Sequence, residues 1–367
     1  MKNRKLRVGM VGAGGISRTH CEGWKKLDEA ELVAITDIDE GAAKARAEQY
    51  GIEAVETDAK KVFARDDIDA VDIVVPNTFH KDYTVAALKA GKHVLCEKPL
   101  ALTPREVDAM IAASEKSGRK LMCAQHQRFA AQHAALKEYL ETHPIGDIYF
   151  ARAWMHRRRL MPGRAGFIYK SNSGGGACID IGVHVLDLVL WLMDKWAPVS
   201  VSGVSLCKLS KRPDSWSEWG GADYDRKGFD VEDFAAGFVR FADGSALNLE
   251  VSWMLNMKPR SDQRIELYGT EGGAALPAAE VYTHTSRGYV NTTVEALDTK
   301  EKAHHAEIRA FAECVLKDEP VPVPPRQSRV VMAILDGLYR SQETGKEVRL
   351  TDKRKQPRRI EIRGARG

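Results

Sequence analysis

The sequence predicts an α/β fold: an N-terminal Rossmann-type, doubly wound parallel sheet, followed by a C-terminal α+β domain with an antiparallel or mixed sheet. Three observations predict it. Up to Cys123 the chain alternates short apolar runs with helical patterns, and strands apolar on both faces and separated by helices belong to a parallel sheet covered on both sides. Beyond Arg128 apolar runs succeed one another without helices, with a hairpin signal at Ala242-Asp243-Gly244-Ser245, the pattern of an antiparallel or mixed sheet. A length of 367 residues suits two domains of roughly 100–200 residues each.

In order, a first strand over Leu6–Val11 runs into glycines and a helix, and a second over 31–36 is followed by a helix to Tyr50 that Gly51 closes. The run 70–75 is stopped by Pro76, and strands at 92–96 and 120–123 alternate with helices at 83–90 and 103–117. A helix over 130–142 and a strand over 148–156 open the second domain, then a helix over 180–193. Strands follow at 199–206, 234–241, 246–254 and 264–269. A helix at 303–316, an extended Pro-rich connector at 320–325 and a helix at 328–344 complete it. The expected division is residues 1–127 as the first domain, 128–351 as the second and 352–367 as a mobile basic tail.

Composition narrows the function. Hydrophobic residues make up 44% and charged residues 29%, as in ordinary globular chains, which excludes collagen-like and disordered classes. The net charge of +4 is concentrated at the end: residues 352–367 hold seven cations and two anions, leaving the remaining chain near −1. Nothing in that body calls for nucleic acid. None of the six cysteines forms a C-x-x-C pair, so free thiols in a reducing compartment are expected, with no disulfide framework and no metal site. No uninterrupted apolar run approaches the ~20 residues of a membrane span, and the N-terminus lacks the apolar core of a signal peptide. A cytoplasmic protein is the expectation.

Gly12-Ala13-Gly14-Gly15-Ile16-Ser17 links the first strand to the first helix. The first glycine permits a tight turn, the second a close approach of pyrophosphate to a helix N-terminus; Ser17 occupies the place of the usual third glycine. Asp37, at the end of the second strand, is where a carboxylate accepts ribose hydroxyls. It is followed by Ile38 rather than a cation, which favours NAD over NADP unless Lys44 or Arg46 folds back toward the ribose. Pro76, Asn77 and His80 lie beyond the carboxyl end of a strand, where ligands bind in such sheets; His80 could equally cap the next helix.

Two further segments carry chemistry. Cys96-Glu97-Lys98-Pro99-Leu100 ends a strand, and its lysine could polarise a substrate oxygen, although such a residue alone is more often solvated. Gly174-Gly175-Gly176-Ala177-Cys178-Ile179-Asp180-Ile181-Gly182-Val183-His184 runs into an apolar helix. Asp180 and His184, four apart, would share one helix face, and polar groups there are costly unless paired or used.

Taken together, Gly12-x-Gly14, Asp37, Pro76-Asn77, Glu97-Lys98-Pro99 and Asp180-x-x-x-His184 resemble the Gfo/Idh/MocA oxidoreductases, over roughly residues 5–345. The resemblance implies the two domains above, the second with a large, mostly antiparallel open sheet; nucleotide binding by residues 1–127, substrate binding and oligomerisation by 128–351; redox chemistry with a pyridine nucleotide on a sugar, polyol or related hydroxyl; and homodimers or homotetramers formed through the open sheet. It implies a catalytic set of Lys98, Asp180 and His184. The cofactor set is Gly12, Gly14, Gly15, Ile16, Asp37, Pro76, Asn77, His80, Glu97, Lys98 and Gln125. Arg128 in Gln125-His126-Gln127-Arg128-Phe129 matches the crossing between domains, and the substrate set is Lys98, Arg128, Arg157, Arg164, Asp180 and His184. The residue types fit alcohol oxidation independently: an imidazole can take the hydroxyl proton at neutral pH, and a lysine can stabilise developing alkoxide.

The concentration Arg152, His156, Arg157, Arg158, Arg159 and Arg164 suits an anionic or polyhydroxylated substrate, or a solvated loop or subunit contact. The loop Asp214-Ser215-Trp216-Ser217-Glu218-Trp219 suits sugar rings, or a subunit interface. Three functions follow: an NAD(P)-dependent dehydrogenase of a sugar, glycoside or cyclitol; a redox-neutral glycosidase or lyase that retains NAD and works through a transient keto-sugar; and a non-catalytic nucleotide-binding regulator.

Overall fold

The computed structural model describes residues 4–297 and 300–350; the basic segment 352–367 lies outside them. Six strands build the first sheet: β1 (Leu6–Val11), β2 (Ala30–Thr36), β3 (Ala54–Glu56), β4 (Ala70–Ile73), β5 (His93–Glu97) and β6 (Leu121–Ala124). All pair in parallel, in the order β3-β2-β1-β4-β5-β6. Met10, Ile35, Ile73, Leu95 and Leu121 are among its fully buried side chains, which is why these strands read as continuous apolar runs. Helices α1 (Ser17–Trp24), α2 (Glu40–Tyr50), α3 (Ala59–Phe63), α4 (His80–Lys89) and α5 (Pro104–Ser117) connect them. Thr103 and Glu106 form a reciprocal cap at the start of α5, satisfying two otherwise orphaned amides. The strand order reverses between β1 and β4, and the crevice at such a reversal receives ligands.

After α6 (Ala131–Thr142) come β7 (Ile148–Arg157), the one-turn helices α7 (Ala165–Ile168) and α8 (Lys170–Ser173), a π-helical turn at Cys178–Gly182, and α9 (Val183–Met193). The second sheet continues with β8 (Pro198–Leu206), β9 (Phe234–Phe241), β10 (Ala246–Ser252), β11 (Ser261–Gly269), β12 (Gly273–Leu276), β13 (Glu280–Thr285), β14 (Gly288–Thr293) and, after α10 (Ala303–Leu316) and α11 (Pro325–Thr344), β15 (Val348–Arg349). Its nine strands run β14-β13-β12-β11-β7-β10-β9-β8-β15, antiparallel except for the β7–β10 pair.

Four of these strands carry no sequence signal. β12 is Gly/Ala-rich, the outer half of β13 and all of β14 are exposed, so no alternation marks them, and β15 has two residues. The Pro-rich connector is shorter than expected, because Pro325 begins α11, where a missing N–H costs nothing. The segment Lys170–Met193, though interrupted by Asp180, His184 and Asp187 and so not a continuous apolar run, is long and apolar enough on average to span a bilayer, and 89% of its apolar window is buried in the protein. It is the helical core on which the second sheet packs.

Candidate active site

Gly12 turns with φ +111°, and a Cβ there would meet the Val74 carbonyl oxygen at 2.6 Å, so only glycine fits. Gly14 has open space where a side chain would stand, and Gly15 faces only Arg164 Nη1, 3.8 Å from its Cβ position. This cradle leaves room for a pyrophosphate against the start of α1. Asp37 is half-exposed; its Oδ2 accepts the Ala13 amide at 2.7 Å and its Oδ1 the Asp39 amide at 2.9 Å. Two of roughly four lone-pair positions remain for ribose hydroxyls, so the residues present fit a nicotinamide dinucleotide. Ser17 is explained as well: its hydroxyl donates to the Gly14 carbonyl at 2.6 Å and accepts from Arg46 Nε at 3.0 Å. Of the two cations near the ribose end, Lys44 pairs with Glu40 while Arg46 reaches back to this turn.

Asn77 lies in the 3-10 turn Asn77–Phe79, and its Nδ2 donates to the Ser173 carbonyl at 2.9 Å, tying the crevice to the glycine-rich segment. His80 does not line the crevice. It is fully buried, its ring nitrogens 2.7 Å from the Pro99 carbonyl and 2.9 Å from that of Val75, and burial lowers its pKa against those contacts. It locks the turn after β4 to the segment after β5. Gln125, at the end of β6, is also buried, with its Oε1 unpartnered.

Glu97 closes β5 from below. Its Oε2 accepts the Lys98 amide at 2.8 Å, and its Oε1 lies 3.0 Å from His20 Nε2. The other His20 nitrogen contacts Asp72 Oδ2 at 2.9 Å, to which Trp24 Nε1 also donates. Burial opposes a charge on His20, but Asp72 and Glu97 outweigh it and raise its pKa well above the usual value. The same contact outweighs burial at Glu97 and holds its carboxyl at about 2. An imidazolium between two carboxylates therefore fixes the strand end from which Lys98 projects.

Lys98 Nζ donates to the Asp180 backbone carbonyl at 2.9 Å and to Asp180 Oδ1 at 3.2 Å. Trp253 Nε1 donates to the other carboxylate oxygen at 2.9 Å, and Arg157 Nη1 stands 3.8 Å from it, an ion-pair contact without a hydrogen bond. The arrangement depends on the π-helical turn, whose Asp180 carbonyl is turned to the lysine. Glu232 anchors the turn's start by accepting the Gly176 and Cys178 amides at 3.0 and 2.8 Å. A Cβ on Gly176 would lie 1.9 Å from the Glu232 carbonyl oxygen, which accounts for the third glycine of that run.

His184, in the first turn of α9, is buried with its Nδ1 unpartnered. Its nearest ring is His126, 4.8 Å away edge-on, and His126 stacks on His304 at 3.8 Å and 14°. Burial, then the Lys98 charge, push the His184 pKa well below its usual value. Burial likewise lowers His126 to about 3 and His304 to about 4. One turn beyond His304, Glu307 is fully buried with both carboxylate oxygens unpartnered, and burial raises its pKa well above the usual range.

Lys98, Asp180, His184 and Arg157 are thus brought together, with Arg164 at the glycine turn. Arg128 is not available to a substrate. It is 4% exposed, its guanidinium bonded to both Asp187 oxygens at 2.7 and 2.6 Å and to Gln327 Oε1 at 2.6 Å. The arginine concentration in the sequence disperses: Arg152 pairs with Glu266, His156 with Glu250, and Arg159 bonds Asn256. The tryptophan loop does reach the site, since the Trp219 ring lies 4.6 Å from the Arg157 guanidinium. Sequence reasoning missed Trp253, His20, His126, His304 and Glu307. Only His126 carried a usable signal, at the carboxyl end of a parallel strand; the others are scattered singles.

A dinucleotide cradle at the strand-order reversal, beside a lysine from the end of β5 and an aspartate and an imidazole from the π-helical turn and α9, defines a two-domain nicotinamide-dependent oxidoreductase. The chain belongs to the Gfo/Idh/MocA family. Residues 6–125 match the family model described as oxidoreductase family, NAD-binding Rossmann fold, and residues 133–275 match the GFO/IDH/MocA C-terminal domain. It is 33% identical over 353 residues to the D-glucoside 3-dehydrogenase of Escherichia coli (strain K12), covering 95% of this chain and 99% of that one. It is 28% identical to the inositol 2-dehydrogenase/D-chiro-inositol 3-dehydrogenase of Shouchella clausii (strain KSM-K16), over 93% of each. In fold it resembles levoglucosan dehydrogenase in complex with NADH and levoglucosan, with a TM-score of 0.81 at 23% identity, covering 95% of this chain and 100% of that one.

Proposed function

We propose that the protein oxidises a secondary hydroxyl of a sugar, with glucosides the first choice and cyclitols the second, using NAD in preference to NADP. The observation that carries this reading is the Lys98–Asp180 pair set beside a neutral, buried His184 at the end of β5. When bound, the nicotinamide supplies a hydride acceptor. Lys98 uses two of its three ammonium donors on Asp180 and offers the third to the substrate oxygen, stabilising alkoxide character. His184, kept neutral by burial, takes the hydroxyl proton. Asp180 holds Lys98 in place and, with Arg157, orients neighbouring hydroxyls.

Gly12, Gly14, Gly15, Ile16, Asp37, Pro76 and Asn77 form the nucleotide cradle in this reading, with Arg164 closing over it. Arg46, although it folds back to the glycine turn, already donates to Ser17 and Gln49, and the unpaired carboxylate positions of Asp37 favour a free 2′-hydroxyl, and so NAD. Residues 1–127 and 128–351 act as nucleotide and substrate domains. The outer face of the second sheet, where Phe150, Phe238 and Tyr268 cluster, pairs with a second copy. Six free cysteines, five of them buried, suit a reducing cytoplasm.

The test mixes pure protein with NAD or NADP and a panel of glucosides, free sugars and inositols, and follows nicotinamide absorbance. Reduction of NAD with a glucoside supports the reading. Turnover of a glycoside without net reduction would replace it with redox-neutral chemistry, and nucleotide binding without turnover of any panel member would replace it with a regulator.

A further inference from the structure

A cavity of about 780 Å³ opens beside the catalytic corner, its walls including Arg158, Arg159, Trp216, Glu218, Asn256 and Lys258. A second, of about 300 Å³, shares Arg159, Trp216 and Asn256 with it and adds Arg212 and Asp214. The charges on these walls are unequally satisfied. Both anions are already neutralised: Glu218 by Arg260 at 2.7 Å, and Asp214 by Arg212 through two contacts of 3.0 Å. The cations are not. Arg159 donates only to neutral acceptors, the Arg158 and Leu255 carbonyls and Asn256 Oδ1. Among the described residues no carboxylate pairs with Arg158 or Lys258. Three uncompensated cations around one concavity raise the local concentration of an anion, and guanidinium forks bind carboxylate, sulfate or phosphate oxygens in pairs. Trp216, half-exposed, adds an apolar face of the kind that packs on sugar rings.

The same three chain segments build this cavity and the catalytic corner. Arg157, beside Asp180, precedes Arg158 and Arg159, and two residues span at most about 7 Å. Trp253, which donates to Asp180, leads through Leu255, whose amide bonds the Arg157 carbonyl at 2.9 Å, to Asn256 and Lys258. Trp219, over Arg157, follows Glu218, whose amide bonds the Arg159 carbonyl at 2.8 Å.

We propose that this cavity is an outer subsite of the substrate channel, and that it takes an anionic group carried by the glycoside away from the carbon that is oxidised. The inference rests on the glycoside reading above and specifies it: the preferred substrate is an acidic glycoside. Carboxylate, sulfate and phosphate esters share the required chemistry.

The test compares a neutral alkyl glucoside with glucosides of the same length bearing a carboxylate, a sulfate or a phosphate on the distal end. For the wild-type protein with NAD, kcat/KM is expected to be at least tenfold higher for one or more of the acidic substrates. That advantage should shrink at high salt, because exposed charges are screened. In the double variant Arg158→Glu, Lys258→Glu, KM for the acidic substrates should rise about 30-fold while turnover of the neutral glucoside, which reports correct folding, stays within about twofold. The three anionic arms show which headgroup is read. Equal kcat/KM for neutral and acidic glucosides, or an equal loss on both in the variant, overturns the inference and leaves the glycoside reading standing. If no glucoside is oxidised, the glycoside reading fails by itself, and quenching of tryptophan fluorescence by glucuronate, glucose sulfate and glucose phosphate still reads the subsite. Quenching by none of the three overturns the inference too.

Discussion

Around Asp180 both carboxylate oxygens are partnered, by Lys98 and Trp253, with Arg157 close by; one turn further along the chain, the buried Nδ1 of His184 has no partner at all. The first corner is charged and its geometry is fixed by hydrogen bonds. The second is neutral, and its geometry is fixed by the packing of His184 on His126, which in turn stacks on His304. The difference assigns work. A corner of fixed charges can stabilise a developing alkoxide without reorganising. A desolvated imidazole, neutral well below its usual pKa, is ready to accept a proton and disinclined to keep it beside Lys98.

The largest expected effect follows from removing the charge. Lys98→Met should lower kcat by about 10⁴-fold, since it removes both the alkoxide's partner and the group holding Asp180. Thermal unfolding checks that the variant is folded. His184→Asn should cost less, about 10³-fold. The double variant sharpens the contrast: if the corners act independently the losses multiply, whereas a double variant no slower than Lys98→Met means that they act as one unit.

The next effect concerns stability and separates the corners by sign. His126 and His304 titrate near 3 and 4 in the fold but near 6.5 when unfolded. The unfolded chain therefore binds protons first as pH falls. The stability that depends on these neutral rings is whole above about pH 6.5 and is lost progressively toward pH 4. His20 behaves oppositely, because its raised pKa favours the protonated fold below pH 6.5. Urea unfolding of wild type between pH 7 and pH 4 should show the loss, and in the double variant His126→Phe, His304→Phe it should be smaller by on the order of 3 kcal/mol. An unchanged slope would mean that the rings carry charge in the fold.

What could be read from the sequence divides along the same line. The cradle and the charged corner lie in contiguous motifs: the glycine run after β1, Glu97-Lys98-Pro99 after β5, and the glycine-rich approach to Asp180. Each motif records a local requirement, such as the Gly12 turn against the Val74 carbonyl, and local requirements leave local patterns. In the imidazole corner only His184 stands in such a motif, four residues after Asp180. His126 carries no more than its place beyond the end of β6, and His304 stands in α10 with nothing local to demand it. Arg128 failed for a related reason: its motif places it at the domain crossing, but only the fold reveals that Asp187 and Gln327 occupy its donors. The strands β13 and β14 went unseen because an outer sheet edge exposed to water loses the alternation that marks a half-buried strand, and β12 because its Gly-Ala-Ala-Leu run is short and built of small residues.

The smallest expected effect belongs to Glu307, the acid beneath the imidazole corner. Both of its oxygens are buried without partners, and burial, reinforced by the nearby Glu97 charge, raises its pKa well above the usual range. An unpaired buried carboxylate is avoided by protonation, so the folded protein holds a neutral acid here while the unfolded chain ionises above about pH 4.3. Folding is therefore penalised increasingly as pH rises from that value toward the folded pKa. Glu307→Gln replaces a neutral acid with a neutral amide of the same shape. At pH 5 its stability should match wild type to within about 1 kcal/mol, because a same-shape replacement of a neutral polar group changes little. At pH 8 the variant should be the more stable of the two, since the amide has no proton to give up. Urea unfolding at both values makes the comparison. A variant less stable than wild type at pH 8 would show that Glu307 is ionised in the fold and paired, and the imidazole corner would then have a counterion and be no less charged than the corner around Asp180.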